Sequence, residues 1–275
     1  DFDSGFSLGT NLTTSGGLIS FDNPIVLTSD VQIDATDSNN SPAGADIDFG
    51  DNATINGDGN GPWDLTLLSG TGGVVSFGDT AGGGAVGNNQ PLNVLTVNNS
   101  ASITSYGTIA AAQVSFTSGG DVDINDAVSV SAASPATGFY SEGTAFDNTG
   151  GTRNASANGG TGSIQINHSG AVTIGAGLTT DGGGVDIDST ASLVAVSASI
   201  NTTSSAGGQV TIDAAGQNSD VTIGAAITTN NADQTIRADD SVLFVSGGSL
   251  STGSGVGGAI AVTANNATTD GDDGD

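Results

Sequence analysis

The chain of 275 residues has no cysteine, lysine or methionine, only two arginines and a single histidine. The absence of cysteine excludes disulfide bonds, and the absence of lysine excludes Lys–Asn isopeptide crosslinks within the chain. Its 29 acidic residues give a formal net charge of −27, which excludes nucleic acid as a partner because the phosphate backbone would be repelled. No apolar run approaches the roughly 20 residues that a membrane-spanning helix needs, so we expect no membrane insertion.

Glycine is abundant instead, with 45 residues, and it separates short runs in which apolar and polar residues alternate. Such runs predict short β-strands joined by tight turns. Three of the runs in the C-terminal half share one pattern: AVTIGAGLTT from Ala171, LVAVSASINTT from Leu193 and DVTIGAAITT from Asp220. A second predicted strand follows each run, and its predicted inward residues recur at a constant spacing, at Val185, Val210, Thr235 and Ile260.

A repeat unit of this size cannot bury a core alone, whereas stacked units can. The repeat therefore predicts an all-β fold, a parallel β-helix or solenoid with about 21–27 residues per coil. Right-handed coiling is expected because parallel crossover connections are right-handed. We expect residues 1–275 to form a single β-solenoid domain with an inserted loop at 134–161. A β-sandwich of many hairpins is the alternative, although hairpins do not require a fixed coil length.

The stretch from Ala45 to Val97 resembles the β-strand repeats of filamentous-haemagglutinin-like large bacterial surface proteins; it reads ADIDFGDNATINGDGNGPWDLTLLSGTGGVVSFGDTAGGGAVGNNQPLNVLTV. The later phrase VTIGAGLTTDGG fits the same pattern. The resemblance implies a right-handed parallel β-helix that is secreted and serves as an adhesin, a filament or a cell-surface fibre. We therefore expect a secreted, extracellular or cell-surface location, which the scarcity of trypsin sites also suits.

Paired aspartates are the main candidates for a binding site. Residues i and i+2 of a strand share one face, and stacked coils bring equivalent positions to within about 4.8 Å. Carboxylates that close repel each other, and hard divalent cations relieve the repulsion. Ca2+ is therefore the candidate cofactor, and a solvated acidic surface is the alternative. The candidate ligands are Asp46, Asp48, Asp51, Asn56, Asp58, Asn60, Asp64, Asp121, Asp123, Asp126, Asp186 and Asp188.

The segment 134–161 departs from the repeat, because it collects three aromatic residues, the only glutamate and one of the two arginines. We expect it to leave the coil and form an interaction surface; a loop folded back over a flank is the alternative. We expect a second contact at the N-terminus, where two aromatic residues can join a neighbouring copy as part of a donated strand. The candidate interaction residues are Phe2, Phe6, Phe139, Tyr140, Phe146 and Arg153.

Candidate catalytic residues are sparse. His168 lies at a predicted exposed turn and has no second histidine or cysteine with which to bind zinc. Two arginines cannot line a groove for an anionic polysaccharide, and we do not expect an enzyme. The sequence favours an extracellular structural subunit or shaft segment of a bacterial surface fibre, filament or matrix that self-associates non-covalently. An adhesin for a glycan or another cell is the alternative, and a polysaccharide-active β-helix enzyme is a third.

Overall fold

A computed structural model describes residues 5–132, 136–156, 161–202, 208–253 and 257–264. These residues form strands and turns with no helix, so none of them makes a helix long and apolar enough to cross a membrane. The chain contains two compact units, residues 1–130 and 131–275. Each is built from stacked parallel strands, which confirms the predicted all-β solenoid. That the whole chain forms one domain stays a prediction.

In unit 1, the strands that the structure describes lie on three faces of a solenoid. They are β1 (Phe6–Leu8), β2 (Leu12–Thr13), β3 (Ile19–Phe21), β4 (Ile25–Leu27), β5 (Val31–Asp34), β6 (Ile47–Phe49), β7 (Ile55–Gly57), β8 (Leu65–Phe77), β9 (Leu92–Ser105), β10 (Ile109–Ser118), β11 (Val122–Ile124) and β12 (Val128–Val130). One face stacks β1, β4 and β7, and the others stack β2 on β5 and β3 on β6, all in parallel. The long strand β8 bends around a corner and pairs with both β5 and β6.

Five phenylalanine side chains form one column inside unit 1. The ring centroids of Phe6, Phe21, Phe49, Phe77 and Phe116 are 5.7, 5.2, 5.4 and 6.4 Å apart in that order. The side chains of Phe49, Phe77 and Phe116 are fully buried. Aromatic rings at these separations attract each other beyond the gain from burial, so the column holds successive coils of unit 1 together.

Coil length in unit 1 varies more than the sequence predicts. Phe6 is in register with Ile25, a separation along the chain below the predicted range, whereas Val31 is in register with Leu65, a separation well above it. Insertions lie at corners, as at Gly44, where φ is +62° and a Cβ would overlap a backbone carbonyl. The predicted coil length is therefore wrong for unit 1, because corners absorb extra residues without moving the strands out of register.

Unit 2 has strands on three faces as well. Its described strands are β13 (Thr137–Gly143), β14 (Phe146–Asp147), β15 (Arg153–Asn154), β16 (Ser163–His168), β17 (Val172–Ile174), β18 (Leu178–Thr179), β19 (Val185–Ser189), β20 (Val194–Val196), β21 (Ile200–Thr202), β22 (Val210–Ala214), β23 (Val221–Ile223), β24 (Ala226–Thr229), β25 (Gln234–Ala238), β26 (Val242–Phe244), β27 (Ser249–Ser251) and β28 (Ile260–Thr263). Each strand from β13 to β25 pairs in parallel with the third strand after it, beginning with β13 on β16, β14 on β17 and β15 on β18.

Coil length in unit 2 confirms the prediction. Ile164 is in register with Val185, at the short limit of the predicted range, and Val194 is in register with Val221, at its long limit. Valine and isoleucine occupy inward positions on every face and are fully buried in all but the last coil. Nearly constant coil length and inward β-branched residues are what parallel stacking requires.

One predicted anchor of unit 2 is wrong. Gln234, and not Thr235, takes the inward position in register with Val210. The Gln234 side chain is fully buried, and its Nε2 donates to the carbonyl oxygens of Ile227, at 3.2 Å, and Ser251, at 2.7 Å. Hydrogen bonds therefore replace the apolar contact that the repeat predicts at this place.

Residues 134–161 do not form the inserted loop that the sequence predicts. The described strands of this segment, β13, β14 and β15, pair with the next coil in the same way as later strands do. Phe139 is in register with Ile164, and Phe146 with Val172, at separations that fall within the predicted coil length. The prediction is wrong because phenylalanine takes inward positions that valine and isoleucine take in later coils. Ser134, Pro135 and residues 157–160 lie outside the described residues.

Candidate functional site

In unit 1, the predicted calcium ligands at residues 46–51 bind the polypeptide itself. The Asp46 carboxylate accepts a hydrogen bond from the Val74 N–H at 2.8 Å. Asp51 accepts the N–H groups of Asp79 and Thr80, at 2.8 and 2.9 Å, and the Thr80 hydroxyl at 2.7 Å. The Thr80 hydroxyl and then these two N–H groups hold the pKa of Asp51 below its ordinary value. These carboxylates therefore join one coil to the next.

Asp48 has no acidic residue in register with it on either adjacent coil, although the calcium prediction requires one. It is in register with Ser20 on one side and Ser76 on the other, and it accepts hydrogen bonds from both hydroxyls. Hydroxyl donors stabilise a carboxylate, whereas a stacked carboxylate repels it. The expected repulsion between stacked aspartates is thus absent at this position.

The candidate calcium ligands between Asn56 and Asp64 are engaged in hydrogen bonds within this segment and with the next coil. Asp58 accepts the side-chain amide of Asn60 at 2.7 Å, the Asn60 N–H at 2.9 Å and the Trp63 indole N–H at 2.8 Å. These donors, the Asn60 side chain first, lower the pKa of Asp58. Asn56 Oδ1 accepts a backbone N–H from the next coil at 2.9 Å, and Asp64 accepts a side-chain amide at 2.8 Å.

The third predicted group in unit 1 surrounds β11. Asp123 points outward in register with Thr104, Asp121 is exposed just before the strand, and Asp126 accepts the Ala127 N–H at 2.6 Å. The residue in register with Asp123 on β9 is again a hydroxyl side chain and not an acid. The stacked carboxylate pair expected here is therefore not formed with β9.

Unit 2 does bring carboxylates together. On the outward face of β19 and β22, Asp188 is in register with Asp213, and Asp186 lies two residues before Asp188 on the same face. Burial, and then the charges of Asp186 and Asp213, raise the pKa of Asp188 from 3.8 to about 6. Burial and the Asp213 charge likewise raise the pKa of Asp186. Arg237 lies 3.9 Å from Asp213, with its side chain half exposed, and so offsets little of this repulsion.

A shallow trough of about 200 Å³ lies beside this acidic group on the same outward face. Gly184 and Val185 are part of its lining. Tyr140 lies next along the same row, in register with Gln165, and donates a hydrogen bond to Glu142 at 2.7 Å. The polar lining is Ser163, Gln165, Asp186, Gln209 and Thr211.

Within the ranges that the structure describes, no group of three or more His, Cys, Asp or Glu side chains is arranged to hold a metal ion. Calcium binding stays a prediction. Of the predicted ligands, Asp186 and Asp188 keep the unrelieved negative charge that motivated it.

Most of the predicted interaction residues face inward. Phe139, Phe146 and Arg153 are fully buried, so they do not form the exposed surface that the sequence predicts. Tyr140 is on the outward face, and Phe6 is half buried at the start of the phenylalanine column. Phe2 lies outside the described residues.

His168 is also not the exposed turn residue that the sequence predicts. It ends β16 with its side chain buried. Its Nε2 is 2.9 Å from the Ser141 hydroxyl, and its ring centroid is 5.4 Å from that of Phe146. The alternation in Ser163–His168 predicts this inward position, because Ile164, Ile166 and His168 share one face.

The last described coil carries exposed apolar residues that are not among the predicted interaction residues. Phe244, Ile260 and Val262 occupy inward positions on β26 and β28, yet they are 48%, 46% and 44% exposed. Their partners on the preceding coil, Ile223, Gln234 and Ile236, are fully buried. The described part of unit 2 therefore ends in an open apolar surface, which we call the end surface (Phe244, Ile260 and Val262).

The fold and the sites define a parallel β-solenoid with bridging side chains between coils and an acidic outward face. No protein-family model, curated protein or solved structure matches the chain significantly. Beyond the solenoid fold, the resemblance to filamentous-haemagglutinin-like proteins therefore stays a prediction.

Proposed function

We propose that the chain is an extracellular structural subunit or shaft segment of a bacterial surface fibre, filament or matrix that self-associates non-covalently. The observation that carries the proposal is the reinforcement of coil-to-coil backbone pairing by side chains at the corners. In unit 1, Asp46 and Asp51 accept backbone N–H groups that lie 28 or 29 residues further along the chain. Such bridges add to backbone pairing and oppose separation of the coils.

In unit 2, side-chain hydrogen bonds within single coils close the corners. The buried hydroxyls of Thr180, Thr202 and Thr229 donate to carbonyl oxygens at the start of the next strand, those of Gly183, Gly208 and Ala232. The same residue type performs the same task in three successive coils. Repetition of one closed, hydrogen-bonded coil yields a stiff scaffold that needs no disulfide.

Microscopy of cells that make the protein tests this proposal. We expect antibodies against the chain to label fibres or a matrix at the cell surface, and purified protein to form assemblies that denaturant reverses, since the chain has neither cysteine nor lysine. Labelling confined to the cell interior would contradict the proposal. Unchanged surface structures on cells that lack the protein would contradict the structural role.

An adhesin is the second candidate, favoured by the trough beside Asp186. The amides, hydroxyls and carboxylate that line this trough offer hydrogen bonds to a neutral glycan, and the Tyr140 ring lies nearby in the same row. We expect an array of neutral glycans to show binding that Gln165→Ala weakens and that Thr173→Ala, on another outward face, leaves unchanged. No binding by the unmodified chain would remove this candidate.

A further inference from the structure

The strands of the last described coil have free edges. In the described residues, β26, β27 and β28 pair with β23, β24 and β25 on one side only. Unpaired parallel strands next to exposed apolar side chains are templates for another strand. Each earlier coil of unit 2 is covered by the coil that follows it, and that covering is what the end surface lacks.

The strands of the last described coil are short, but they lack two of the features by which proteins usually block such an edge, charge and proline. Charged residues, proline and bulges are the usual means. The strands Val242–Phe244, Ser249–Ser251 and Ile260–Thr263 contain no charged residue and no proline. Residues 265–275, which follow them in the sequence, include no valine, isoleucine, leucine or phenylalanine, so they offer no large apolar side chain to cover the end surface.

The first coil of unit 1 has the complementary edge. Within the described part of the chain, β1, β2 and β3 pair only with the coil that follows them. On β1 and β2, the inward residues Phe6, Leu8 and Leu12 are only half buried, whereas the residues in register with them on the next coil are fully buried. The inward residues of β3, Ile19 and Phe21, are buried. These strands also carry no charge and no proline.

The two free edges are the two halves of one parallel pairing. An interior coil pairs with a preceding coil on one edge and with a following coil on the other. Among the described residues, no coil precedes β1–β3 and none follows β26–β28. Copies with a net charge of −27 repel each other, and contact through uncharged strands keeps that repulsion smallest.

We propose that the end surface and the strands β26–β28 of one copy bind the first coil, β1–β3, of a second copy. The contact is heterologous, so it either propagates along a chain of copies or closes into a ring. This inference rests on the proposed function, in which the protein self-associates, and it names the surfaces that do so.

Sedimentation velocity of the purified chain tests the contact. We expect association that strengthens from about 0.01 M to about 0.15 M salt, because salt screens the repulsion between like-charged copies. Phe244→Asp on the end surface and Leu8→Asp on the first coil should each weaken association about tenfold or more. Leu193→Asp is the matched control, because Leu193 is 44% exposed but lies away from both ends of its unit, and it should associate as the unmodified chain does.

A mixture of the two variants separates this contact from any symmetric one. The Phe244→Asp copy keeps an intact first coil and the Leu8→Asp copy keeps an intact end surface, so the mixture should form dimers and nothing larger. Far-UV circular dichroism verifies that each variant is folded. A variant that unfolds is replaced by Val262→Asp or Leu12→Asp, which remove the same apolar contacts.

Three results would overturn the inference. The first is sedimentation of the unmodified chain as a monomer at both salt concentrations. The inference fails equally if the chain associates only after residues 265–275 are deleted, because that segment would then cover the end surface. The second is undiminished association of both end variants, which would leave self-association intact and place it elsewhere. The third is equal weakening by Leu193→Asp. Failure of the proposed function is seen separately, as absence of the protein from the cell surface.

Discussion

Substitution of Asp188 by asparagine is expected to stabilise unit 2 at neutral and alkaline pH. Asp188 is in register with Asp213 and shares its face with Asp186. Burial and these two charges raise its pKa from 3.8 to about 6, a difference of about 2 pH units that corresponds to at most about 3 kcal/mol. Because the side chain is partly exposed, screening reduces this to about 1–2 kcal/mol. Asparagine fills the same space without the charge.

The effect has a defined pH dependence. Above about pH 7 the carboxyl is ionised in both the folded and the unfolded state, and the folded state carries the full penalty. Below the ordinary value of 3.8 the carboxyl is neutral in both states and the penalty is absent. The advantage of Asp188→Asn is therefore greatest at about pH 8, fades between about pH 6 and 4, and is absent below that.

Thermal unfolding followed by circular dichroism at pH 8 and about pH 3.5 measures this difference. We expect Asp188→Asn to raise Tm by roughly 2–6 °C at pH 8 only. The variant is produced in a host without N-linked glycosylation, because it creates the sequence Asn-Ser-Thr. Asp79→Asn removes the same charge from an exposed residue and should change Tm little at either pH. An equal gain at both pH values, or none at pH 8, would refute the electrostatic reasoning.

Other changes probe the column, the corners and the metal prediction. Phe49→Ala removes a buried ring 5.2 and 5.4 Å from its neighbours and should cost about 3–5 kcal/mol in urea unfolding, with Phe6→Ala costing less. Asp34→Ala leaves two backbone N–H groups without their acceptor and should cost about 1–3 kcal/mol at pH 7. Burial opposes ionisation of Asp34, but its hydrogen bonds outweigh burial and lower its pKa. The difference in free energy of unfolding between the unmodified chain and Asp34→Ala is therefore lost as the pH falls below 3.8. Calcium at about millimolar concentration should raise Tm, and Asp188→Asn should reduce the rise; an unchanged Tm in calorimetry would end the metal prediction.

The solenoid was predictable because apolar inward residues alternate with polar outward residues along each strand, and because equivalent strands of unit 2 recur at a nearly constant spacing. The exceptions show what spacing cannot supply. Gln234 occupies an inward place through hydrogen bonds, which a pattern of apolar residues does not register. Phe139 and Arg153 take the same inward positions as the residues in register with them on the next coil, and they differ from those residues in type.

The acidic residues show a second limit of the sequence. Whether an aspartate meets repulsion depends on the residue in register on the next coil, and corner insertions of variable length hide that register. Asp48 lies between two serines, whereas Asp188 lies beside Asp213. Both belong to the same Asp-x-Asp pattern, so residue type and local spacing alone do not distinguish them.

The coil lengths of the two units also determine how each would yield to force. A pull on the ends of unit 2 peels one coil at a time from the stack, since each coil is bound mainly to its neighbours. Each such coil, at about 21–27 residues, lengthens a tether by roughly 70–90 Å when fully extended. Unit 1, whose residues in register are spaced much less evenly along the chain, releases uneven steps of roughly 65–115 Å. A single-molecule force measurement would therefore show steps of nearly equal length for unit 2 and steps of unequal length for unit 1.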